Sequence, residues 1–90
     1  DFVDMITGQG QFHMQLEEIS CANQSLLLGK SFRELNIRSK VGVLVLGIQD
    51  GTGKFELNPS ADKKLEDGDR IFILGSESQV KAFRKQYLQR

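Results

Sequence analysis

The sequence predicts an α+β domain: a small, mostly antiparallel sheet with short helices, in the order helix, strand, helix, three strands, helix. Three observations predict it. Residues 43–48 and 70–75 are apolar on both alternating faces, as strands buried on both sides are. Ser31-Phe32-Arg33-Glu34 and Ser76-Glu77-Ser78-Gln79 each fit the S-x-x-E/Q capping box that starts a helix. Asp50-Gly51-Thr52-Gly53 and Glu66-Asp67-Gly68-Asp69 are strong turn signals.

Taken in chain order, Phe2, Met5 and Ile6 stand at i, i+3 and i+4, one apolar helical face, with Gly8 as its stop. Gly8-Gln9-Gly10-Gln11 reads as a flexible connection. Residues 1–10 are therefore expected to be the tail of a preceding element plus a linker, and residues 11–90 the domain. Phe12, Met14 and Leu16 alternate with His13, Gln15 and Glu17, which predicts a strand with the apolar set on its buried face. Ile19 falls out of phase, so a bulge or strand end is expected at Glu17-Glu18. A short helix with Phe32, Leu35 and Asn36 starts at the Ser31 box, and Gly42 ends that region. Residues 43–48 and Lys54-Phe55-Glu56-Leu57 flank the Asp50–Gly53 turn and predict a hairpin, closed by Asn58-Pro59-Ser60. Val80, Phe83 and Tyr87 mark one face of the closing helix, with Lys85 and Arg90 toward its negative end.

The chain of 90 residues and 10.1 kDa has room for one core. Lys+Arg and Asp+Glu both number 12, so the formal net charge is zero; this argues against nucleic acid as the main partner and against docking on an anionic membrane. No apolar run approaches the ~20 residues of a membrane span, and no signal peptide is visible. Cys21 is the one cysteine, so an internal disulfide is impossible and a reducing cytoplasm is expected. The start at Asp1 reads as a fragment of a longer protein.

Chemistry-bearing patterns are sparse. Gly51-Thr52-Gly53-Lys54 is no phosphate loop: Ile48 stands where glycine is needed, Phe55 where Ser or Thr is needed, and a strand follows instead of a helix. Gly8-Gln9-Gly10 lacks the third glycine and the helix of a dinucleotide fingerprint. His13 and Glu17 share a polar strand face that could hold a divalent ion, but exposed polar strand residues are far commoner. Asp62, Glu66, Asp67 and Asp69 lack EF-hand spacing and read as a solvated turn. No nucleophile–base pair is apparent, so catalytic and metal-binding residues are expected to be absent. Arg38, between the short helix and the first doubly apolar strand, is either an ordinary surface arginine or an anion clamp, since its planar fork suits phosphate or carboxylate. Two doubly apolar strands exceed what short helices can cover. An interface on the uncovered face is favoured over a closed barrel-like sheet.

The order Leu28-Gly29-Lys30-Ser31-Phe32-Arg33-Glu34-Leu35, Asn36-Ile37-Arg38, Val41-Gly42-Val43-Leu44-Val45-Leu46-Gly47-Ile48, Asn58-Pro59, Leu65-Glu66-Asp67-Gly68-Asp69 and Ile73-Leu74-Gly75 resembles the RCK_C domain, also called TrkA-C, from about Phe12 to Phe83. The resemblance implies a cytoplasmic regulatory, ligand-sensing lobe of a potassium channel or potassium uptake protein, working at the cytoplasmic face of the membrane. Such a lobe pairs with itself about a twofold axis and is covalently linked to an RCK_N domain and a membrane pore or transport subunit. Some members bind cyclic di-AMP at the C-domain dimer interface. The matching residues here are Asn36, Ile37 and Arg38 with Val43 and Leu44 at the strand entry. Cyclic di-AMP is thus the candidate ligand, and no resident cofactor is expected. The alternatives are a purely structural dimerisation module and the sensor lobe of an antiporter or transcription regulator; a small enzyme ranks last.

Overall fold

The computed structural model describes residues 13–89, so the helix expected near Phe2, the whole 1–10 linker, Phe12 and Arg90 lie outside the described residues. The elements are β1 (Met14–Ser20), α1 (Phe32–Leu35), α2 (Ile37–Val41), β2 (Leu44–Gln49), β3 (Phe55–Leu57), β4 (Arg70–Ser76) and α3 (Glu77–Tyr87). The four strands form one sheet in the order β1-β4-β2-β3, every neighbour antiparallel. This is the predicted class.

The core lies on one face of the sheet. Ile71 and Ile73 of β4 pair with Ile48 and Val45 of β2, and Ile71 pairs with Ile19 of β1. Paired residues share a face, so these side chains form one apolar layer. Val80, Phe83 and Tyr87 of α3, spaced along one helical stripe, are buried with that layer. Leu27, Leu35, Ile37 and Leu65 close the core from the loops and the two short helices.

Both capping boxes form as the sequence predicts. Ser31 Oγ accepts from Glu34 N–H at 3.1 Å while Glu34 Oε1 accepts from Ser31 N–H at 3.0 Å. Ser76 Oγ accepts from Gln79 N–H at 3.2 Å and Gln79 Oε1 accepts from Ser76 N–H at 2.9 Å. Replacing Ser31 or Ser76 by alanine is expected to cost about 0.5–2 kcal/mol each, read as a shift of the urea midpoint at constant slope. The absence of a shift in either variant would mean that the cap does not hold its helix.

The expected hairpin is present. β2 pairs with β3 across the Asp50 turn, where the Asp50 carboxylate accepts from Thr52 Oγ1 (2.6 Å), Thr52 N–H (2.9 Å) and Lys54 N–H (3.0 Å). These hydrogen bonds, that from the Thr52 side chain foremost, hold the Asp50 carboxyl below its ordinary pKa.

Three local expectations need correction. First, β1 has no bulge: its register with β4 runs unbroken from Met14↔Ser76 to Ser20↔Arg70. Its faces are the reverse of those predicted. Met14 and Leu16 lie on the open face of the sheet, Leu16 being 50% exposed, while Gln15, Glu17 and Ile19 face the helix side. A carboxylate is tolerated there because Arg84 of α3 reaches down to pair with Glu17. Second, the bulge is in β2, where the register slips between Val45 and Gly47 and leaves Leu46 without a partner on β4. Third, the single short helix is two. Asn36 takes the left-handed conformation (φ 52°), which ends α1 and starts α2, and Gly42 (φ 84°) ends α2 in the same way. No helix among the described residues is long and apolar enough to cross a membrane.

Candidate functional site

A hollow of about 170 Å³ opens where α1 and α2 meet the start of β2, lined by Phe32, Asn36, Ile37, Arg38, Val43 and Val45. Four of the five residues singled out from sequence therefore come together: Asn36, Ile37, Arg38 and Val43. Leu44 does not join them. It pairs with Leu74 and projects, 46% exposed, from the opposite face of the sheet. Phe32 and Val45 complete the lining and were not singled out. The signal for both was in the spacing: Phe32 stands four before Asn36, and Val45 shares a strand face with Val43 because side chains alternate.

The hollow follows from local backbone geometry. The Ser31 box starts α1 and sets Phe32 at its first position. The left-handed turn at Asn36 then redirects the chain, with the Asn36 N–H donating to the Phe32 carbonyl at 2.9 Å. The Asn36 side chain makes no cap hydrogen bond to α2 and none to another described residue. Arg38 is exposed and takes part in no ion pair among the described residues, unlike Arg33, Arg70 and Arg84, which hold Asp62, Glu18 and Glu17. Ile37 and Val43 are buried at 3% and 0% exposure. The site thus has an apolar floor, an aromatic wall, one amide and one unspent guanidinium. Chemically it suits a flat apolar group carried next to an anion.

Cys21 and Asp69, the buried titratable groups with chemistry to offer, serve the fold. Cys21 is fully buried, and burial, followed by the Asp69 and Asp67 carboxylates, pushes its thiol up to about 11, so it is a protonated core residue at neutral pH. Buried Asp69 accepts from the Glu66 N–H at 2.8 Å and faces Lys63 across 3.9 Å, which closes the turn before β4. Among the described residues no three His, Cys, Asp or Glu side chains converge as a metal site would require.

The sheet face away from α3 is open. Leu16, Leu44, Phe55 and Leu57 are exposed on it at 50%, 46%, 50% and 70%. The Phe55 ring lies edge-on to Phe72, with centroids 5.5 Å apart, and crosses Gly47, where a Cβ would collide with the ring. β3 pairs with Gly47, Ile48 and Gln49, so among the described residues the start of β2 has no strand on that side, and the Leu46 carbonyl accepts from the Asn58 N–H. The open face and the hollow adjoin this same margin, Leu44 on one side of it and Val43 and Val45 on the other.

Comparisons with known proteins bear on the fold as a whole. The family model described as the TrkA-C domain matches residues 16–87. The "Probable potassium channel protein 2" of Methanocaldococcus jannaschii is 30% identical over 80 residues, which cover 89% of this chain but 23% of that protein. The chain therefore spans about a quarter of that curated relative. The RCK_C domain dimer of S. agalactiae BusR, solved in complex with c-di-AMP, is 33% identical with a TM-score of 0.69, over 78% of this chain and 91% of that one. BusR has also been solved with its busA-promotor DNA, at 32% identity and a TM-score of 0.70 over 84% of this chain and 38% of that one. The RCK_C domain of the potassium transport protein KtrA, also in complex with c-di-AMP, is 25% identical with a TM-score of 0.72, over 81% of this chain and 82% of that one.

Proposed function

Given that the chain belongs to the TrkA-C (RCK_C) family, we propose that it is the dimerising, ligand-sensing lobe of a potassium channel or potassium uptake protein. In this reading it works at the cytoplasmic face of the membrane and is not an enzyme. Its ligand is a cyclic dinucleotide of the cyclic di-AMP kind, held where the hollows of two copies meet. The observation that carries this reading is that Arg38 and Asn36, whose side chains have no partner among the described residues, line one hollow with the buried apolar floor of Ile37 and Val43.

A hollow of about 170 Å³ is too small for a whole dinucleotide but adequate for part of one. A twofold axis would supply the second half and bring two Arg38 side chains to one site. Two facing cations repel unless an anion bridges them, and a cyclic dinucleotide carries two phosphates in a symmetric ring. The guanidinium fork takes a phosphate, and the apolar floor and Phe32 take a base. Ligand binding between copies then favours one arrangement of the pair over another, which a covalently attached transport domain can read.

A second reading, the sensor lobe of a transcription regulator, is favoured by the similarity to BusR, which has been solved with promoter DNA. Net charge zero, the ground for expecting no nucleic-acid partner, describes this domain alone. It carries no weight against DNA contacts made by another part of a longer chain.

Calorimetry with cyclic di-AMP tests the ligand. Wild type is expected to bind one ligand shared by two chains, and Arg38→Ala to weaken binding by about tenfold or more, as loss of a charge-assisted phosphate contact does. Unchanged affinity in Arg38→Ala would remove Arg38 from the site. Absence of binding to wild type would leave a purely structural dimerisation module as the better reading.

A further inference from the structure

We infer that α3 holds the hollow in shape at two points, and that Tyr87 is a positioning residue of the site although it does not line it. The inference rests on the proposed ligand reading for its functional meaning and on geometry for its substance. Ile37 and Arg38 belong to α2, of five residues, and Asn36 joins it to α1, of four; both helices are too short to keep their own form in water. Something outside them must fix the segment that carries the site.

The first fixed point is Leu35, the residue immediately before Asn36. The Tyr87 hydroxyl donates to the Leu35 carbonyl at 2.7 Å, in a buried hydrogen bond that links residues 52 apart in sequence. Tyr87 is 4% exposed, so water does not compete for either partner. The second fixed point is the Gly42-Val43 joint, where α2 gives way to β2. The Gln79 side chain, already held by the Ser76 capping box, lies against it: a Cβ on Gly42 would fall 2.6 Å from Gln79 Nε2. The same side chain abuts Gly75, whose own Cβ would meet Gln79 Oε1 at 3.1 Å and Val43 Cγ1 at 2.9 Å. Glycine at 42 and 75 lets the Gln79 side chain pack closely against both backbones, which a larger residue at either position would disturb.

The segment bearing Asn36, Ile37 and Arg38 is thus pinned at its start by Tyr87 and at its end by Gln79. Both belong to one helix of 11 residues that also packs on β4 and β1. A shift of α3 along the sheet would move both ends of the site wall together. The helix that forms the core is also the element through which a change at the hollow reaches the rest of the domain.

Tyr87→Phe tests this, because it deletes the hydroxyl and keeps the ring. Two readouts are needed. Hydrogen exchange of the free protein is expected to quicken selectively at residues 36–41 and to stay at wild-type rates in β1 and β4. Cyclic di-AMP affinity is expected to fall by about two- to tenfold, the range of one lost neutral hydrogen bond. Unchanged exchange at residues 36–41, or acceleration spread evenly over the sheet, overturns the inference. So does unchanged affinity in a protein whose wild type binds. If wild type does not bind cyclic di-AMP, the ligand reading fails, and the exchange measurement still decides whether Tyr87 holds this segment.

Discussion

Phe83→Ala is expected to cost the domain about 3–5 kcal/mol, the range for emptying a buried aromatic site. Phe83 is fully buried and is the largest of the fully buried side chains. It sits on the stripe of α3 shared with Val80 and Tyr87, its ring 5.2 Å from that of Tyr87, and faces the layer of Ile71 and Ile73. The surrounding groups cannot collapse into the vacancy cheaply, since β4 is fixed by β1 and β2 on either side and α3 by its cap and by the Tyr87–Leu35 bond. A domain of this size has a total stability of the order of 5–14 kcal/mol, so this one substitution removes a large share of it. Urea unfolding followed by circular dichroism measures the loss. A cost below about 1 kcal/mol would show that α3 is not seated on the sheet as described. Phe83→Leu, which keeps most of the volume, should cost much less.

The features legible in the sequence were those that depend on near neighbours. Both capping boxes, the Asp50 turn and the Val80–Tyr87 stripe are complete within a few residues, and each is found where its pattern places it. The two doubly apolar strands also read correctly: β2 and β4 are adjacent inner strands with apolar residues on both faces. The failures were of facing and register, which depend on residues far away in the chain. Glu17 could be assigned to the helix side only by knowing that Arg84, 67 residues later, would meet it. The Leu46 bulge is invisible in an unbroken apolar run, since the extra residue looks like its neighbours. Asn36 could have been suspected, because asparagine tolerates the left-handed conformation better than most residues do. Facing also separates Leu44 from Val43, since consecutive residues of a strand point to opposite faces. The hollow itself was legible as a segment, Asn36 to Val43, but not as a shape, because Phe32 and Val45 enter it through the fold.

The second large effect concerns association. At micromolar concentration the protein is expected to be a homodimer, with a light-scattering mass about twice 10.1 kDa. The physical ground is the open sheet face, where Leu16, Leu44, Phe55 and Leu57 stand exposed, Leu44 at the margin of β2 that has no strand partner among the described residues and Leu16 across β4 from it. Single exposed leucines are ordinary, but four large apolar side chains on one side of one small sheet are not. The start of β2, unpaired on one side among the described residues, offers further backbone groups to a second copy. Leu44 lies at the junction of the open face and the hollow, so it is the residue to perturb. Leu44→Glu would forfeit the burial of a leucine, of the order of 1.5–3 kcal/mol at full burial, twice over by symmetry, and would set two carboxylates close together. The expected result is a monomer near 10.1 kDa that is still folded, since Leu44 is already 46% exposed within one copy. Leu26→Glu is the control: Leu26 is 40% exposed but lies in the turns after β1, off the sheet face, and the dimer should survive that change. A wild-type mass near 10.1 kDa, or a dimer that tolerates Leu44→Glu as readily as Leu26→Glu, would remove the β2 margin from the interface.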